Sequence, residues 1–174
     1  MFGLTRRNRL SGRWLLICLL VASCLGCAGL DPEQRREQFF SMRLPKAGGE
    51  TVNLSEFRGQ VLLVDIFNTW SQSSMLAITG YAGLYRRYHQ QGLSCLGIAL
   101  DKLGSRVVRP YVEGMDIPYP VALADEAIRQ GRSPLGDVSI TPMLLIFDRS
   151  GILKKIFLGF VPIEQVERII EKLL

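Results

Sequence analysis

The sequence predicts an α/β domain in which helices sandwich a mixed central sheet, with a short β-hairpin at its N-terminal side. Three observations carry this expectation. Residues 60–67 (QVLLVDIF), 94–100 (SCLGIAL) and 143–147 (MLLIF) are short, largely apolar runs, the first with β-branched Val61, Val64 and Ile66, of the kind found in strands buried on both faces. Residues 71–89, between the first two runs, place Leu76, Tyr81, Leu84, Tyr85 and Tyr88 at helical spacing. The third run leads through a turn into another β-prone stretch and then a terminal amphipathic segment. Strand–helix–strand followed by a hairpin and a helix combines parallel and antiparallel pairing in one sheet.

The elements follow in order. Residues 39–44 read as a short strand, Lys46-Ala47-Gly48-Gly49 as a turn, and residues 51–54 as the strand that closes the N-terminal hairpin. Residues 60–67 form the first central strand, and the helix over 71–89 stops before Gly92. After the strand at 94–100, Ser105–Gly114 is an amphipathic helix that ends at its glycine. Pro118, Pro120 and residues 131–137 (GRSPLGD) mark loops around a small strand and a short helix. Asp148-Arg149-Ser150-Gly151 supplies turn chemistry between residues 143–147 and a hairpin partner at 152–157. Pro162 opens the last helix, whose Ile163, Val166, Ile169, Ile170 and Leu173 share one face.

A chain of 174 residues, 48% of them hydrophobic, suffices for one domain and a short appendage. The net charge of +5 is unevenly placed. Arg6, Arg7, Arg9 and Arg13 precede the first acidic residue, Asp31, and the rest of the chain carries 17 basic and 16 acidic side chains. A nearly neutral body without a basic stripe excludes a nucleic-acid binder. The four arginines stand before an uncharged stretch at 14–30 with a dense apolar centre, WLLICLLVA, which is the layout of an export signal. Val21-Ala22-Ser23-Cys24 resembles a bacterial lipobox, in which the cysteine is lipidated and becomes the mature N-terminus. Cys24-Leu25-Gly26-Cys27 offers a second candidate, and an uncleaved membrane anchor is the alternative to lipidation. The expected division is a signal peptide at 1–23, a lipidated N-terminus and polar spacer at 24–38, and a folded domain at 39–174, exported and held at a membrane. Cys18, Cys24 and Cys27 belong to the leader, so Cys95 has no cysteine partner within the body and intradomain dithiol chemistry is excluded.

Residues 64–74 (VDIFNTWSQSS) concentrate the expected chemistry. A buried strand runs through an aromatic residue into a helix N-terminus, where unpaired backbone N–H groups and the positive dipole end face the first side chains. A cysteine at such a position has a depressed pKa. Residues 57–70 (FRGQVLLVDIFNTW) resemble the approach to the active site of thioredoxin-like proteins of the TlpA/ResA type, in which the tryptophan is followed by Cys-x-x-Cys. Further similarity lies in Tyr85-Arg86-Arg87-Tyr88, Gln91-Gly92-Leu93, residues 96–101 (LGIALD), residues 117–121 (IPYPV) and Thr141-Pro142, which fits the family's cis-proline loop. The resemblance covers roughly residues 39–174 in consistent order. It implies a thioredoxin-like fold and a thiol–disulfide oxidoreductase ancestry.

Against that pattern, Ser71 and Ser74 stand at the two cysteine positions, and Ala77 and Thr79 replace the family's glutamate and proline. A serine hydroxyl forms no disulfide and is a poor nucleophile without an adjacent base. The single histidine, His89, lies about 27 Å along the helix axis from Ser71 at 1.5 Å per residue, so no triad forms. Ser71 or Ser74 is expected to cap the helix. Asp65, in mid-strand, resembles the family's buried acid and is expected to be a hydrogen-bonded structural carboxylate. Cys95 reads as a small apolar core residue. One histidine and one body cysteine give no metal site, and no glycine-rich phosphate loop occurs, so no cofactor is expected. The resemblance leaves Trp70, Thr141 and Pro142 as a groove for a protein or an extended peptide, since backbone docking beside a cis-proline needs no thiol. The leading expectation is therefore a membrane-anchored, redox-inactive binding or assembly factor. The alternatives are an oxidoreductase that uses Cys95 or a partner's thiols, and a purely structural module.

Overall fold

In the computed structural model, which describes residues 31–174, helix α1 (Pro32–Ser41) leads into a hairpin of β1 (Arg43–Pro45) and β2 (Thr51–Asn53). The stretch expected to be an export signal and the candidate lipidation sites Cys24 and Cys27 lie outside the described residues. The stretch expected as a strand from residue 39 is instead the end of α1. The reason is periodicity: Phe39 and Phe40 are neighbours and both are buried in the same core, whereas strand neighbours point to opposite faces. Phe39 stacks on Phe147 at 4.7 Å, and Arg58 lies over the Phe40 ring while pairing with Glu37 at 2.7 Å. Part of the polar run read as a spacer is thus helix docked on the domain.

After a 3-10 turn at Leu54–Phe57 come β3 (Val61–Phe67), α2 (Gln72–Tyr88), β4 (Leu93–Ala99) and α3 (Ser105–Gly114). β5 (Val121–Leu123), α4 (Glu126–Arg129), β6 (Met143–Phe147), β7 (Leu153–Leu158) and α5 (Ile163–Leu173) complete the chain. The five-stranded sheet runs β5-β4-β3-β6-β7. β3, β4 and β5 are parallel, β6 pairs antiparallel with β3, and β7 pairs antiparallel with β6. This is the mixed sheet the sequence predicts, with the N-terminal hairpin in place.

All seven residues of β3 and all five of β6 are buried, and apart from Asp65 in β3 all of them are apolar, as burial on both faces favours. Val61, Leu63 and Phe67 of β3 face one core with α2, α3 and α5, through residues such as Ile78, Val108 and Val166. Leu62, Val64 and Ile66 face a second core with α1 and the hairpin. The hairpin also shields the β5 edge, because Lys46 bridges Ala122 and the Ala47 N–H donates to the Val121 carbonyl at 3.0 Å. β7, at the other end of the order, has no strand beyond it among the described residues. No helix among the described residues is long and apolar enough to cross a membrane.

Candidate functional site

The parallel strands β3 and β4 end side by side, and the loop between β3 and α2 is built where they stop. The Leu100 N–H donates to the Phe67 carbonyl at 2.9 Å, so the two chains stay paired to the last residue of β3. Beyond it, the Thr69 N–H donates to Asp101 Oδ2 at 3.0 Å and the Thr69 hydroxyl to Asp101 Oδ1 at 2.7 Å. On the opposite side, Asn68 Nδ2 donates to Thr141 Oγ1 at 3.0 Å, next to the cis Thr141–Pro142 bond. The turn is therefore fastened to the loop after β4 and to the loop before β6. Asn68 and Asp101 are site residues that sequence reading passed over. The available signal was position alone, a polar side chain at or just past the end of a buried strand.

Ser71 is the N-cap of α2, as expected for one of the two serines. Its backbone is extended, and its hydroxyl accepts the Ser74 N–H at 3.3 Å while lying 3.0 Å from the Ser73 hydroxyl. Ser74 is fully buried one turn in, and its hydroxyl has no hydrogen-bond partner among the described residues. Neither hydroxyl has a general base. His89 is beyond the far end of α2, with its ring nitrogen 3.0 Å from the Tyr85 carbonyl, and the Asp101 carboxylate is committed to Thr69. Serine nucleophilic catalysis has no activating group in this arrangement.

Cys95 sits in β4 opposite Leu63 and is buried in the first core. Burial, with the Asp65 charge adding to it, pushes its thiol far above the ordinary range, so no thiolate forms at neutral pH. Asp65 corrects an expectation. It is buried, but both carboxylate oxygens lack a hydrogen-bond partner among the described residues. Strand geometry is the reason. Asp65 faces Gly97 across the sheet, which offers no side chain, and the backbone N–H groups around it are spent on the strand ladders. Desolvation raises its pKa well above the usual carboxylate value. Tyr81 and Tyr119 are buried in the same core, and their hydroxyls are also unpartnered. Burial first, and the Asp65 charge second, raise both phenols, and push Tyr111 up to about 12.

The surface over this loop is apolar. Trp70 is 78% exposed, a large departure for an indole, with Ile140 beside Thr141 and Leu76 and Phe160 also exposed. Thr141 is half-buried, whereas Pro142 is buried and shapes the loop from beneath. The Pro142 carbonyl accepts the Gly159 N–H at 2.8 Å, which brings the 159–164 segment against the site. Between that segment and α2 lies a cleft of about 280 Å³, floored by Ala77 and Gly80 and walled by Leu76, Phe160 and Pro162. Its floor exists because Ala77 and Gly80 are small. Sequence reading placed Leu76 on the spaced apolar face of the helix and passed over Phe160. Among the described residues no group of three or more His, Cys, Asp or Glu side chains gathers to hold a metal.

Several solved structures share this architecture. A thioredoxin-family thiol:disulfide interchange protein from Chlorobium tepidum superposes with a TM-score of 0.67 at 23% identity, over 76% of this chain and 92% of that one. A secreted disulfide oxidoreductase of Mycobacterium tuberculosis, described as homologous to E. coli DsbE, gives 0.68 at 8% identity, over 79% and 99%. A DsbF homologue from Corynebacterium diphtheriae gives 0.68 at 14%, over 76% and 83%. At these identities the likeness establishes the thioredoxin-like fold. A comparison with proteins of curated function finds no match. The AhpC/TSA family profile matches residues 36–156, from the body of α1 into β7. With that span of the domain matched and the fold in agreement, the chain belongs to the AhpC/TSA family.

Proposed function

We propose that this protein is an exported, membrane-anchored, thioredoxin-like binding or assembly factor that does no thiol–disulfide chemistry of its own and docks an extended polypeptide beside the cis-proline loop. The observation that carries the reading is the state of the helix start. Ser71 and Ser74 stand where the TlpA/ResA resemblance puts the thiols, one spent as a cap and the other sealed in the core. The surface above them is nonetheless kept open and apolar through Trp70, Ile140, Leu76 and Phe160. Thr141 is positioned by Asn68, so its backbone is held in a fixed place for strand-like pairing with a peptide. The leader with its four arginines and the cysteines Cys24 and Cys27 supports export and lipidation.

The alternative, an oxidoreductase working through Cys95, is disfavoured by the burial and raised pKa of that thiol. Titration of a fluorescein-labelled, disordered peptide rich in Leu and Phe tests the binding role. Trp70→Ala is expected to weaken binding about tenfold or more, as loss of an aromatic anchor does. Equal affinity in wild type and variant would remove Trp70, and with it the groove, from the account.

A further inference from the structure

We infer that the β7 edge is a second interaction surface, one that accepts an extended peptide combining acidic and apolar side chains by strand addition. The two edges of the sheet are treated differently. At β5 the bridge from Lys46 to Ala122 and the Ala47–Val121 hydrogen bond occupy the strand's flank. Among the described residues β7 pairs only with β6, so every second residue turns its N–H and C=O away from the sheet with no described strand to receive them. The strand is also apolar where a solvated edge is ordinarily polar: Leu153, Ile156 and Leu158 are 40%, 44% and 59% exposed.

Charge selects the occupant. From Arg149 to Phe160 the chain carries three cations, Arg149, Lys154 and Lys155, and no anion. Arg149 is turned to the Gln91 and Leu174 carbonyls, and Lys154 lies 3.6 Å from Asp148 with nearly half of its side chain exposed. Lys155 leans over Phe157 at 5.2 Å, paired with no carboxylate there. A second copy of β7 laid antiparallel on the first would bring four lysines into one ribbon, and lysines on an edge oppose such self-pairing. A strand alternating Glu with Val or Ile meets the same edge with opposite charge and matching apolar residues. Its backbone satisfies the outward N–H and C=O groups, which a lipid surface does not.

The test uses a fluorescein-labelled heptapeptide alternating Glu with Val and Ile, and the same peptide with Lys in place of Glu, titrated against the protein by anisotropy. The acidic peptide is expected to bind at least tenfold more tightly than the basic one and to weaken as salt rises. Amide shifts on binding should fall on residues 153–158. Lys154→Glu with Lys155→Glu should reverse the peptide preference. Lys154→Gln with Lys155→Gln should abolish the preference without adding charge. Both variants should leave binding of the apolar Leu/Phe peptide at the Trp70 groove unchanged, which separates a failure here from a failure of the groove. Equal affinity for the two peptides overturns the inference, as do shifts mapping elsewhere or concentration-dependent dimerisation through β7. Lysine-dependent binding to phosphatidylglycerol vesicles without peptide binding also overturns it.

Discussion

Asp65 is the residue whose chemistry departs furthest from what its position would suggest. A carboxyl buried without a hydrogen-bond partner stays protonated far above the usual range, because burial penalises the charged form. In the unfolded chain the same group ionises near 3.9. Above that pH the unfolded state has released a proton that the folded state retains. The stability that the protonated carboxyl contributes is therefore complete below about pH 4 and declines as pH rises toward the folded-state pKa. Asp65→Asn keeps the shape and removes the ionisation. Urea unfolding between pH 4 and 9 is expected to show wild type losing stability relative to Asp65→Asn with rising pH, the variant being the more stable at the alkaline end. Parallel profiles would mean that Asp65 is ionised in the fold and paired in a way that contradicts its surroundings. Position in the strand was legible in the sequence, but partnership was not. Whether a buried acid finds a donor depends on what lies across the sheet, and here that is Gly97.

At the scale of elements, α1 shows how a helix hidden behind a polar run becomes part of the domain. Its Phe40 packs so closely on the β6–β7 turn that a Cβ on Gly151 would stand 2.6 Å from the ring, and Gly151 has φ +74°. Gly151→Ala meets both the ring and a left-handed backbone, and is expected to cost about 1–3 kcal/mol in chemical denaturation. An unchanged midpoint would mean that α1 is not seated on that turn. The central strands were readable because a strand buried on both faces is apolar along nearly its whole length, as residues 143–147 are and as residues 61–67 are apart from Asp65. The α2 boundary was readable because Ser71 has the chemistry of a cap. α1 was not readable, since its register is set by Phe147 and Gly151, more than a hundred residues later. For the same reason Trp70 and Thr141 could be proposed from a motif, while Asn68, Asp101, Leu76 and Phe160 emerged only when three loops met.

Over the whole molecule, the sheet, the cis Thr141–Pro142 loop and the long helix α2 keep a thioredoxin-like scaffold, and the AhpC/TSA match spans most of it. What the scaffold lacks is a reactive sulfur: among the described residues the one cysteine is Cys95, buried in the sheet. The Ser71 hydroxyl already accepts a backbone N–H at the start of a long helix, and that environment would stabilise a thiolate placed there. Reduction of insulin disulfides by dithiothreitol, followed by turbidity, compares the purified wild-type chain with the double substitution Ser71→Cys with Ser74→Cys. The account predicts no acceleration by wild type, with or without Cys95→Ala, and clear acceleration by the double variant. Wild-type acceleration that disappears with Cys95→Ala would contradict it and make this chain a working oxidoreductase.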